Sequence, residues 1–155
     1  MRERINEDVK VAMKSGDKRR LATLRLMNAA IKDRDLGAGL DEKGQPTGRD
    51  KISDQEILSL LQKMIKQRRE SLETYRQANR DDLADQEAAE ITVIEAYLPR
   101  QMSETETRAA VAALMTEIGA TGLKDMGRAM AALKERYTGQ MDFAKASALV
   151  KEMLK

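Results

Sequence analysis

The sequence predicts an all-α protein, an N-terminal bundle of about four helices followed by a small three-helix C-terminal domain. Three observations carry that expectation. Apolar residues recur every three to four positions, and no stretch alternates as a strand would. Two Pro and ten Met in 155 residues, with 35% charged residues, suit helices packed on helices. Serines followed three residues later by Glu stand ahead of two of the apolar runs, as helix-capping boxes do.

The elements follow in order. Ile5, Val9 and Met13 line one face of a first helix over 2–15, which Ser15-Gly16-Asp17 stops. A second helix over 18–36 places Leu21, Leu24, Asn28 and Ile31 on one stripe, so the pair forms a helical hairpin. Residues 37–52, rich in Gly and carrying Pro46, form an exposed loop. The capping box Ser53-Asp54-Gln55-Glu56 opens a helix to about Gln77 with Ile57, Leu61, Met64, Ile65, Leu72 and Tyr75 inward. After a break at Asn79-Arg80-Asp81, a fourth helix carries Leu83, Ala84, Ala88, Ile91, Ile94 and Leu98, and Pro99 ends it. The domain boundary falls there, giving domains 1–99 and 100–155. A second box, Ser103 to Glu106, starts a helix with Val111, Leu114, Met115 and Ile118, closed by Gly119. Met126, Met130, Leu133 and Tyr137 mark the next helix. Asp142 caps the last, with Ala146, Leu149, Val150 and Met153 inward.

Composition removes whole classes of chemistry. Cys and His are both absent, which excludes disulfides, thiol nucleophiles, zinc fingers and any imidazole base. The acidic run Asp81, Asp82, Asp85, Glu87, Glu90 and Glu95 is the one candidate for magnesium. Its first three members suit a helix N-terminus instead, where the dipole favours negative charge. Ser53 and Ser103 are accounted for as caps, and no nucleophile elbow, phosphate loop or dinucleotide fingerprint occurs. No catalytic residue, metal or cofactor is therefore expected. No segment has the length of a signal peptide core or a membrane span, which predicts a cytosolic protein.

The formal charge of +2 is unevenly spread. Residues 1–36 hold ten Lys/Arg against six Asp/Glu, and residues 78–102 hold two against six. Lys18, Arg19, Arg20 and Arg25, with Lys63, Lys66 and Arg69, form basic clusters on the second and third helices. Each cluster reads as a phosphate contact or as a solvated face paired with nearby acids. Arg68 falls on the apolar stripe of its helix, which points to a half-buried ion pair with the acidic helix 81–97. In the tail, Lys124 and Arg128 are four apart and share a face, with Lys134 and Arg136 around the same helix and Lys145 on the next. Gly127 in that helix's first turn serves either a tight helix crossing or the close approach of a ligand.

Longer motifs carry a resemblance. Leu24-Arg25-Leu26-Met27-Asn28-Ala29-Ala30-Ile31-Lys32, Lys63-Met64-Ile65-Lys66-Gln67-Arg68-Arg69-Glu70-Ser71 and Glu95-Ala96-Tyr97-Leu98-Pro99 resemble the YqeY-like proteins of the GatB/YqeY family. So does the tail run Lys124-Asp125-Met126-Gly127-Arg128-Ala129-Met130, with Gly139 and Asp142. The resemblance covers essentially the whole chain. It implies a C-terminal domain similar to the tail of the B subunit of the glutamine-dependent tRNA amidotransferase, which grips tRNA. It also implies that the family-level label of carbon–nitrogen ligation, with glutamine as amide donor, is inherited from the larger enzyme, whose catalytic body has no counterpart here.

The expected function is therefore a non-catalytic tRNA-binding accessory protein, with Lys124, Gly127, Arg128 and Gly139 as tRNA-facing residues. Gln140, Met141 and Phe143 depart from the family pattern, where a basic, a small and a Gly or Pro residue are usual, and weaken a phosphate contact at that loop. The alternative is a protein–protein adaptor, docking through the N-terminal helices on an aminoacyl-tRNA synthetase or amidotransferase.

Overall fold

A computed structural model describes all 155 residues, Met1–Lys155. Seven α-helices and one short 3-10 turn make up its regular structure: α1 (Arg2–Ser15), α2 (Lys18–Ala38), α3 (Asp54–Gln77), α4 (Asp81–Glu95), α5 (Glu104–Ile118), the turn Leu123–Asp125, α6 (Met126–Tyr137) and α7 (Phe143–Met153). The chain divides into two compact units, Met1–Leu98 and Pro99–Lys155, each with its own core.

In the first unit α1 packs on α2, and α3 lies along α4. Ile5, Leu24, Met27, Ile57, Leu61 and Ile94 are wholly buried between them. Each such side chain contributes about 1.5–3 kcal/mol by leaving water. Gly16 ends α1 in the left-handed conformation at φ 72°, and the Asp17 carboxylate accepts the Arg20 N–H to start α2. Because α2 turns back at once, the inward position near the end of α1 goes to Ala12, and the expected Met13 points to solvent at 56% exposure. On α2 the expected stripe holds at Leu21, Leu24 and Ile31 and fails at one position. Met27 occupies the core, while Asn28 sits half-buried and donates to Asn6 Oδ1 at 3.0 Å.

The connection from α2 to α3 is exposed from Leu40 to Lys51 and orders itself around Asp41, whose Oδ1 accepts the N–H groups of Lys43 and Gln45. Ile52 is buried, so the expected exposed loop ends one residue early. The Asp35 carboxylate pins it there, accepting the Ile52 N–H at 2.8 Å and both Arg2 nitrogens at 2.8 and 2.6 Å. The hydrogen bond from Arg2 holds the Asp35 carboxyl below its ordinary range. Ser53 and Glu56 then form the full capping box of α3.

Asn79, at φ 58°, turns the chain into α4. α4 stops at Glu95, three residues short of the expected Leu98, and tightens into turns in which the Tyr97 and Leu98 N–H groups reach the carbonyls of Ile94 and Glu95. Tyr97 is thereby buried. Its hydroxyl donates to Asp8 Oδ2, and the Arg4 guanidinium stacks 4.6 Å from its ring centre. Burial, then the bond to Asp8, pushes the phenol up to about 12.

In the second unit α5, α6 and α7 each touch the other two. Val111, Leu114, Leu133, Met141 and Val150 form the centre. Met141 is fully buried, while Tyr137 and Phe143 are half-buried at the edge of this core.

Candidate nucleic-acid interface

The tail motif occupies the entry to α6. Gly119 closes α5 at φ 64°, a conformation open to Gly without strain, and releases the chain toward Thr121 and Gly122. The Asp125 carboxylate then folds the chain back. Its Oδ2 accepts the N–H groups of Thr121 (3.0 Å) and Gly122 (3.4 Å), and its Oδ1 accepts Arg128 Nη2 at 3.2 Å. The hydrogen bond from Thr121, reinforced by Gly122 and by the charges of Arg128 and Lys124, keeps that carboxyl below its ordinary range. One side chain thus fixes the turn and aims the guanidinium. Asp125 had no role in the sequence reading, although its place three residues after Gly122 matches a cap spacing.

The resulting surface presents Leu123, Lys124, Gly127 and Arg128, all exposed. Lys124 makes no salt bridge, and Arg128 keeps 58% of its side chain in solvent. A Cβ placed on Gly127 would meet nothing within 4 Å. That removes the tight helix crossing as the reason for this glycine and leaves the backbone open to an approaching group. The first turn of α6 adds the positive end of its helix dipole.

Gly139 is placed differently. It is buried at φ 84°, and its carbonyl accepts Gln101 Nε2 at 2.6 Å, so it shapes the turn before α7 and presents no face to a ligand. The secondary cations also separate. Arg136 is bound by both oxygens of Glu117 at 2.6 and 2.7 Å, and Arg69 by Glu95 at 2.7 Å. Arg20 lies 4.0 Å from Asp8. Lys18, Arg19, Arg25, Lys63, Lys66, Lys134 and Lys145 are exposed and form no salt bridge within 4 Å. Arg68 is half-buried against Glu90 at 2.9 Å, the structural pair its position on the stripe implies. No three acidic side chains gather into a group able to hold a metal ion.

The Yqey-like protein family matches residues 2–154 of the chain. Altered inheritance of mitochondria protein 41, mitochondrial, of Lachancea thermotolerans is 33% identical over 116 residues, covering 74% of this chain and 57% of its own length. The protein of the same name from Pyrenophora tritici-repentis is 33% identical over 94 residues, covering 61% and 46%. An uncharacterized protein of Schizosaccharomyces pombe is 29% identical over 92 residues, covering 59% and 67%. The chain spans about half the length of the first two relatives. The expectation of a cytosolic protein is overturned by this comparison, because four of the relatives are named as mitochondrial. A search for apolar runs detects secretory and membrane segments, and no helix here is long and apolar enough to cross a membrane. Mitochondrial targeting relies on amphipathic, Arg-rich segments that such a search does not register.

Proposed function

The chain belongs to the family of Yqey-like proteins, and from that membership we propose that it is a non-catalytic tRNA-binding accessory protein that grips the nucleic-acid backbone with its three-helix tail. The observation that carries this reading is the exposed pair Lys124 and Arg128 on either side of Gly127, at the dipole-positive start of α6. The partition of charge supports it. Residues 1–98 hold 19 Lys/Arg and 19 Asp/Glu, whereas residues 99–155 hold nine and seven, so the whole net charge of +2 resides in the tail. With Tyr137 and Phe143 half-buried, few aromatic faces remain for base stacking, so the contact is mainly with phosphates.

The test is fluorescence anisotropy of labelled, unfractionated tRNA with the full chain across a salt series. Two phosphate contacts change the log–log salt slope by about 1.4–1.8. Between 50 and 200 mM salt, the wild type is therefore expected to lose about tenfold more affinity than the Lys124→Ala, Arg128→Ala double variant. Equal slopes for the two proteins, or no binding by the wild type, would refute the proposal.

A further inference from the structure

The first unit carries an apolar surface that its own fold leaves uncovered. α2 has apolar residues on two faces. Leu24, Met27 and Ile31 point into the core, while Leu26, Ala29 and Ala30 form a second row that ends at Asp33 and Arg34. α3 presents a matching row, Leu60, Lys63, Met64, Gln67 and Arg68. α2 meets α3 at few positions, because α3 packs chiefly on α4. The two rows therefore flank an open groove of about 370 Å³. Its floor is apolar: Leu60 and Met64 are nearly buried at its base, and Leu26 stands 48% exposed on its wall.

From this juxtaposition, we propose that the groove between α2 and α3 is a docking site for an amphipathic helix with acidic flanks, supplied by a partner protein. Both walls step by three and four residues, the spacing of ridges that receive another helix. The low wall at Ala29 and Ala30 allows close approach of the helix axes. From Leu26 to Arg34 the wall runs about 12 Å, or a little over two helical turns. Charge selects the flanks. Arg34 and Lys63 are exposed on opposite walls without a salt bridge, whereas Arg68 is already satisfied by Glu90. Asp33 is the one carboxylate at the rim. A helix with Leu or Met at i, i+3, i+4 and i+7 fills the floor, and Glu or Asp beside that stripe meets Arg34 and Lys63. This site lies in the other unit from the tail motif, so it stands whether or not the tail binds tRNA.

The experiment uses two synthetic 18-residue helical peptides with one Leu stripe, flanked by Glu in one and by Lys in the other. Each is titrated into isotope-labelled full-length protein, with amide shifts mapped by NMR and affinity read by anisotropy. The Glu-flanked peptide is expected to shift amides of Leu26, Ala30, Lys63 and Gln67. The Arg34→Glu, Lys63→Glu double variant should bind it at least tenfold more weakly and should gain affinity for the Lys-flanked peptide. Leu26→Glu, a surface change, should weaken both peptides. Equal binding of the two peptides by the wild type, shifts outside the groove, or no shifts would overturn the proposal. So would a concentration-dependent dimer protected at these positions, or binding of the groove to phosphatidylserine vesicles.

Discussion

Replacing Gly127 by Ala separates the stability of the tail from its proposed contact. Gly127 lies in the first turn of α6, does not have a positive φ, and faces open space where the new methyl would sit. Nothing in the fold opposes the change, and Ala restricts the unfolded chain more than Gly does. Gly127→Ala should therefore stabilise the protein by about 0.5–1 kcal/mol. For a chain of this length that is a rise in Tm of about 1–4 °C, measured on the full protein by circular dichroism or calorimetry. If the bare backbone admits a phosphate beside Lys124 and Arg128, the same methyl occupies its path. Affinity for tRNA then falls several-fold while Tm rises. A lowered Tm would show that the backbone at Gly127 is held by something other than helix geometry. A raised Tm with unchanged affinity would remove Gly127 from the contact and leave the cations alone to carry it.

Further expectations concern the first unit. Arg68→Met strands Glu90 in a half-buried site and should cost about 2–3 kcal/mol in urea titrations, most of it recovered in Arg68→Met, Glu90→Leu. Equal losses in the single and double variants would show that the two groups are not coupled. Burial, and then the charge of Glu90, hold the Glu87 carboxyl above its ordinary 4.5. The native state therefore binds its proton more tightly than the unfolded chain, and stability falls as pH rises through that window. Glu87→Gln should be more stable than the wild type at pH 7, with the gap closing in acid; a gap that does not change with pH refutes this. Tyr97→Phe removes the bond to Asp8 and should cost about 1.5 kcal/mol. It should also remove a phenol ionisation near pH 12 from an ultraviolet titration, and a curve unchanged in that region would contradict the buried placement.

What the sequence revealed depended on how local the cause was. Both capping boxes, the left-handed Gly16 and Gly119, and the caps at Asp17 and Asp142 stand where four-residue patterns place them. Their geometry is complete within one turn. One position of the α2 stripe differs, Met27 for Asn28, because that helix is apolar on two sides. Periodicity alone could not say whether Met27 or Asn28 faced the core. The spacing from Ile5 and Val9 points to Met13, yet the turn at Gly16 brings α2 back over Ala12. Arg68 on an apolar stripe announced its pair with Glu90, but the other long-range pairs left no local trace. Arg136 finds Glu117 nineteen residues away, and Arg69 finds Glu95 across twenty-six. For the tail site, the pattern supplied Lys124, Gly127 and Arg128 but could not distinguish an open glycine from a buried one. Gly139 is buried at φ 84° with its carbonyl taken by Gln101, whereas Gly127 is exposed with open space where a Cβ would stand.

The arithmetic of the tail sets a ceiling on what it does alone. Of its nine cations, Arg100 and Arg136 are bound by Glu106 and Glu117, and Arg128 is shared with Asp125. The entry to α6 offers Lys124 and the part-exposed Arg128, with Lys134 further along the helix, against the six to ten phosphate contacts that give strong salt-dependent affinity. On the proposed reading, the tail by itself is a weak, sequence-indifferent grip. Occupancy at physiological salt then calls for a second attachment that raises the local concentration of tRNA. A partner held in the α2–α3 groove of the first unit would provide one, converting the tail contact into an intramolecular event worth 10²–10⁴ in avidity where the geometry permits. On this reasoning the variants of the groove and of the tail are not additive when tRNA binding is measured with a partner that itself binds tRNA. Losing either attachment returns the complex to its weak limit, so the double loss costs little more than the first.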